Sequence, residues 1–191
     1  YLQQHGYQGQ IYPINPRSET IGDLKCYADA QSLPEAPDLG LVLVGANRVI
    51  DAVRDLSAAG TKAAVVLASG FGEAGEEGQR LQAQLREAAG SMRILGPNTI
   101  GLVNLTDGIM LTASGAMDMT DFRTGGIAVL SQSGGILGSL LSRGVARGIG
   151  FSKLVATGNE ADIEVADLLD AMADDPATTV VALYLETIRN V

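Results

Sequence analysis

Short β-branched segments alternate with amphipathic helical ones along nearly the whole 191-residue chain, and no other feature constrains its fold as tightly. Residues 39–44, 63–68, 126–130 and 179–185 read as buried strands: each is short, rich in Val, Leu and Ile, and bounded by turn residues. Residues 11–14 and 92–95 are shorter candidates. Between them run apolar stripes at helical spacing: Val49, Ile50, Val53 and Leu56; Leu81, Leu85 and Ala88; Ile136, Leu137, Leu140, Leu141 and Val145; and Ile163, Ala166, Leu169 and Met172, with Asp162 as the expected N-cap of the last. Strand, helix and strand in succession give parallel pairing through a right-handed crossover. The expectation is therefore an α/β fold of two successive parallel-sheet units. The rhythm fades over residues 104–125, which places a boundary near residue 122. The first unit, 1–122, is expected to lack its N-terminal strand and loop, and the second, 123–191, to be truncated.

Composition narrows the classes of function. Small aliphatic residues dominate, with 24 Gly, no Trp and 4% aromatics, as in strands covered by helices on both faces. A formal charge of -9, from 22 acidic and 13 basic residues, repels phosphate backbones and anionic membranes, which argues against nucleic acid as a partner. No apolar run approaches the roughly 20 residues of a membrane helix. A lone cysteine, Cys26, points to a reducing compartment and hence to the cytoplasm. The start, residues 1–7, has neither Met nor a signal pattern; it reads as a helix end running into Gly6 as a C′ glycine, with His5 as a surface or capping residue.

In an open parallel sheet, ligands sit beyond the carboxyl ends of the strands. The turns expected there are small and rich in backbone N–H: Gly45-Ala46-Asn47, Ser69-Gly70-Phe71-Gly72, Gly96-Pro97-Asn98-Thr99 and Ser131-Gln132-Ser133-Gly134-Gly135. Together they suit an elongated, phosphate-bearing ligand. The last is the sharpest, since free N–H groups and the positive dipole end of a helix would follow directly. It is not a hydrolase nucleophile elbow, because Val129 and not a glycine stands two residues before Ser131 and no histidine lies nearby in sequence. No cluster has metal-ligand spacing. Glu186 follows the strand at 179–185 and is placed over the same edge as Ser131.

In this order the segments YPINPR (12–17), SGFGEAGEEG (69–78), LGPNTIGLVN (95–104), LSQSGGILG (130–138), GNEADIEVADLL (158–169) and YLETIRN (184–190) resemble the NDP-forming acyl-CoA synthetase superfamily, and the ADP-forming, single-chain type more closely. The resemblance covers essentially the whole chain. It implies a Rossmann-like first unit that binds coenzyme A and a flavodoxin-like second unit. It also implies a ligase reaction in which a carboxylic acid, NTP and CoA give acyl-CoA, NDP and phosphate through an acyl phosphate and a phosphorylated histidine.

Carried over by position, Arg17 and Ser18 fall where a basic residue of the family meets the coenzyme. Leu67, Ala68 and Ser69 fall on the backbone of the CoA groove, and Asn98 and Thr99 lie between the groove and the phosphoryl site. Ser131, Ser133 and Gly134 match the helix start that holds the phosphohistidine's phosphate, and Glu186 matches the acid that receives its imidazole.

The same resemblance implies partners outside these residues: a nucleotide-grasping domain or subunit with ATP or ADP and Mg, and an oligomer. The family's first Gly-rich CoA loop and its histidine are expected to lie outside the sequence, so the chain alone is expected to be inactive. Gly138 replaces a bulkier polar residue of succinate-specific relatives, so the acid is not assigned. The alternative is a regulatory CoA-sensing module of a protein acetyltransferase fusion. A nicotinamide-binding domain is weakened by the lack of G-x-G-x-x-G.

Overall fold

The computed structural model describes residues 1–119 and 121–188. A small hairpin, β1 (Thr20–Ile21) and β2 (Leu24–Lys25), follows an irregular N-terminal stretch. The first unit then alternates β3 (Leu39–Val42), α1 (Ala46–Ala58), β4 (Ala63–Val66), α2 (Glu76–Ala89) and β5 (Arg93–Leu95), with the strands parallel in the order β3-β4-β5. The second sheet takes β6 (Gly101–Asn104), β7 (Ile109–Thr112), β8 (Thr124–Ser131), β9 (Phe151–Ala156) and β10 (Val180–Tyr184), in the order β10-β8-β9-β6-β7. Helix α3 (Gly134–Ala146) joins β8 to β9, and α4 (Val165–Ala173) joins β9 to β10.

Side-chain alternation along the strands creates three apolar layers. On β4, Ala64 and Val66 face α1 and α2, meeting Val49, Val53, Leu56 and Leu85. Val65 faces the other way, into a cluster with Leu95, Ala128, Leu130, Val155, and Val165 and Met172 of α4. On the far side of the second sheet, Val129, Leu154 and Ala156 pack against Leu137 and Leu141 of α3. Helix α4 thus shares one core with both sheets.

The two parallel units expected from the sequence are present, with four differences. Residues 11–14 form no strand; Ile14 makes only an isolated bridge to Tyr27, because Pro13 and Pro16 on either side cannot donate to a ladder. The weak stretch at 104–125 contains β7, and with β6 it forms an antiparallel hairpin whose β6 pairs antiparallel to β9. The ladders therefore change sheets between β5 and β6, ahead of the expected boundary near 122. The hairpin turn carries Asp107-Gly108, with Gly108 at φ 69 and the Asn104 side chain accepting from the Asp107 N–H. Strand β9 was not expected, because Lys153 interrupts its apolar run; that ammonium is paired with Asp175 just after α4.

Asp162 does not cap α4, the fourth difference. Glu164 does, in a capping box with Asp167. Asp162 instead accepts from the Ile94 N–H at 2.7 Å and forms ion pairs with Arg86 (2.8 Å) and Arg93 (2.9 Å), tying the second unit to the first. Within the expected stripes, Leu140 and Ala166 are exposed while Leu137, Leu141 and Met172 are buried. At the start of the chain, residues 2–6 form turns ending at Gly6 with φ 78. His5 is held inward: its Nε2 lies 3.0 Å from the Met117 carbonyl and its ring meets Phe122 edge-on.

Candidate functional site

The turns after β4, β5 and β9 and the end of β8 meet at one junction. After β4, the Ala68 carbonyl accepts from the Asn98 N–H at 2.9 Å, which joins the expected groove segments 67–69 and 98–99. The turn after β9 is zipped alongside: Asn159 and Ala161 N–H donate to Pro97 and Gly96 carbonyls, both at 2.9 Å, and Ile163 N–H donates to the Ile94 carbonyl at 3.0 Å. Thr157 N–H donates to the Ser131 carbonyl at 2.8 Å, bringing the end of β8 to the same place. Gly158, at φ 62, lets the backbone approach this closely, since a Cβ there would lie 2.4 Å from the Pro97 oxygen.

A cleft of about 410 Å³ opens at this junction, lined by Glu73, Gln82, Gln132, Asn159, Glu160 and Glu186 among others. Its wall is a polar network spanning both units. The Asn159 side chain donates to Glu73 and to Gln82 Oε1 (3.1 Å), and its Oδ1 accepts from Asn98 Nδ2 at 3.2 Å. Glu73 also accepts from the N–H groups of Gly70 and Phe71. Burial by itself pushes the Glu73 carboxyl up, but the Asn159 amide and those backbone N–H groups outweigh it and hold the group below the usual carboxylate range. A carboxylate with a depressed pKa stabilises the fold above its unfolded value and loses that contribution as pH falls through the folded one. Glu73→Gln should therefore lower thermal stability at neutral pH. The gap to wild type should close as pH drops below the ordinary value of 4.5. Melting curves over that range check this, and a constant gap would refute it.

The expected coenzyme residues separate into three groups. Leu67, Ala68 and Ser69 form a shelf free of bulky polar side chains, with Ser69 exposed and Asn98 exposed at φ 58 beside it. A shelf of this kind fits an elongated ligand that needs close backbone contact. Arg17 and Ser18 lie on an exposed loop organised by Asn15, which accepts from the Arg17 N–H at 3.0 Å and donates to the Ser18 hydroxyl at 3.3 Å. Among the described residues no hydrogen bond links them to the shelf. Thr99 does not fit a ligand role: it is 4% exposed, and its hydroxyl donates to the Ala156 carbonyl at 2.5 Å while accepting from the Gly101 N–H.

The phosphoryl set is also divided. Helix α3 begins after Ser133, whose side chain makes no cap, so the N–H groups of its first turn keep their partial positive charge. Ser131 departs from expectation. It is fully buried, and its hydroxyl donates to the Ser133 carbonyl at 2.7 Å while accepting from the Ser133 N–H at 3.1 Å. It shapes the loop and is not presented to a ligand. Glu186 is exposed on the cleft. Three features escaped the sequence reading: the Glu73–Asn159 link, the Asp162 pin, and Gln132, whose side chain bonds the backbone of residues 186 and 187. The only signal for Gln132 was a long amide between two serines at a strand end.

Small-residue turns collected at the carboxyl ends of parallel strands, with a helix start and an acid beside them, occupy the edge where open α/β sheets hold their ligands. The family described as a CoA binding domain matches residues 1–104, and the family described as a succinyl-CoA ligase like flavodoxin domain matches residues 124–191. The acetate–CoA ligase [ADP-forming] II of Archaeoglobus fulgidus is 35% identical over 99% of this chain and 28% of its own length. A trans-feruloyl-CoA synthase from an unknown prokaryotic organism is 37% identical over 98% of the chain and 27% of its length. The structure of the dinucleotide forming acetyl-coenzyme A synthetase 1 of Ca. Korarchaeum cryptofilum superposes with a TM-score of 0.92 at 36% identity, over 98% of this chain and 40% of that one. The chain belongs to the NDP-forming acyl-CoA synthetase superfamily, and it spans well under half the length of these relatives.

Proposed function

We propose that this chain is the coenzyme-binding and phosphoryl-receiving part of an enzyme that makes acyl-CoA from a carboxylic acid, CoA and an NTP, releasing NDP and phosphate. The observation that carries the reading is the junction itself. The shelf at Leu67, Ala68 and Ser69, with Asn98, lies on turns bonded directly to the loop after β9, which is bonded in turn to the end of β8 before α3. On this reading a site for the thiol coenzyme and a site for a phosphoryl group would lie on adjoining loops, as a reaction passing an acyl phosphate to a thiol requires. Ser133 and Gly134 would offer the helix start to the phosphoryl group, and Glu186 would orient and stabilise a cationic imidazole supplied from outside residues 1–191. Arg17 and Ser18 would meet the coenzyme from their exposed loop.

The region to about residue 122 would serve the coenzyme, and that from 123 the phosphoryl chemistry. A nucleotide-grasping domain or subunit binding ATP or ADP with Mg would complete the enzyme, as an oligomer in the cytoplasm. The relatives' names cover acids as different as acetate and ferulate, so the reading commits to a carboxylic acid and not to one acid. Among the described residues no helix is long and apolar enough to cross a membrane.

The test uses the full-length protein. Incubated with labelled NTP it should take up phosphate on a histidine, and with an acid and CoA it should form acyl-CoA. Glu186→Gln should slow labelling roughly 10- to 100-fold, the usual cost of removing a supporting carboxylate, while CoA affinity holds. CoA binding without any phosphate uptake would favour the regulatory module instead.

A further inference from the structure

The backbone of Glu186 and Thr187 lies beyond the last ladder position of β10, where Tyr184 pairs with Ser131. Past that point the sheet no longer holds it. The hydrogen bonds found on this backbone go to one side chain. Gln132 Oε1 accepts from the Glu186 N–H at 2.7 Å and the Thr187 N–H at 2.9 Å, while Gln132 Nε2 donates to the Thr187 carbonyl at 3.0 Å. Gln132 is itself fixed by its own N–H, which donates to the Tyr184 carbonyl at 3.0 Å. These partners settle the orientation of the amide, because the reversed amide would set its NH₂ against two donors. Only a primary amide on a stem of this length can accept and donate here at once. The clamp spends no atom of the Glu186 carboxylate, and both residues line the junction cleft.

We infer that Gln132 is a positioning residue: it holds the Glu186 segment beside the start of α3, so that the carboxylate and the helix's N–H groups stand in fixed relation. This rests on the reading of Glu186 given above. A carboxylate that must meet an imidazole on one side and leave the coenzyme shelf undisturbed on the other gains from a rigid backbone, since loosely held supporting groups cost rate before they cost stability.

In the full-length protein, Gln132→Met removes the clamp at nearly constant volume, and Gln132→Glu keeps an acceptor but loses the donor to Thr187. Labelling by NTP should fall roughly 10- to 100-fold in Gln132→Met and by less in Gln132→Glu. CoA affinity and the melting temperature should stay near wild type. Because Gln132 acts through Glu186, the double variant with Glu186→Gln should label no more slowly than Glu186→Gln alone. Wild-type labelling in Gln132→Met overturns the inference, as does a double variant whose losses multiply. A loss of labelling that tracks a lower melting temperature also overturns it, since that marks a merely structural side chain. Wild-type labelling in Glu186→Gln overturns the reading of Glu186 before Gln132 is tested, so the two failures are told apart.

Discussion

Gly158→Ala should lower unfolding free energy by about 2–5 kcal/mol, adding a left-handed backbone penalty to a steric clash. Gly158 sits at φ 62, and an added Cβ would fall 2.4 Å from the Pro97 oxygen and 2.6 Å from the Asn98 oxygen. Both obstacles are backbone atoms of a segment already zipped to residues 159–163, so neither can swing aside as a flexible side chain would. The substitution must push the turn after β9 away from the turn after β5, stretching the Asn159-to-Pro97 and Ala161-to-Gly96 hydrogen bonds. Urea unfolding should show an earlier midpoint with an unchanged slope. An unchanged midpoint would mean that the two turns are not packed as described.

Leu130→Ala should cost about 2–5 kcal/mol, the range for emptying a fully buried leucine site. Leu130 is wholly inaccessible and lies in the cluster shared by both sheets and α4. The cavity would open between elements of the two units, so the damage should not stay in the second. Backbone amides of Val65 in β4 and Val129 in β8 should lose hydrogen-exchange protection together and by similar factors. If Val65 kept its protection while Val129 lost it, the shared core would not couple the units.

What could be read from the sequence follows from how locally each feature is encoded. Strands β3, β4, β5 and β8 announce themselves because a buried parallel strand is apolar on both faces; β10 is as apolar in sequence, but it stands at the sheet edge and is exposed, not buried as expected for 179–185. The edge hairpin was missed although Asp107-Gly108 carried its signal, because β6 and β7 flank that turn with mixed residues such as Asn104 and Thr112. Strand β9 hid behind Lys153, whose partner Asp175 is distant in sequence. The site divided in the same way. That small turns would gather at strand ends is a consequence of topology and was legible. Which polar atoms remain available there depends on neighbours: Ser131 and Thr99 look like ligand residues until Ser133 and Ala156 are seen to occupy their hydroxyls. Asp162 looked like a helix cap because it precedes an apolar stripe, whereas its carboxylate serves Ile94, Arg86 and Arg93 from the other unit.

The layer formed by α4 bears on how such a protein can be rearranged in a genome. Two families meet within this chain, one ending at residue 104 and the other beginning at 124, which makes the interval look like a natural seam for recombination. A break there would part β6 from β9 and strip Val65 and Leu95 of the helix that covers them. Each half would carry a bare oily face and an unpaired strand edge into solution, and both invite aggregation. Gene fusions and subunit splits that preserve a working enzyme should therefore move residues 39–188 as one inherited block, with their breakpoints outside it.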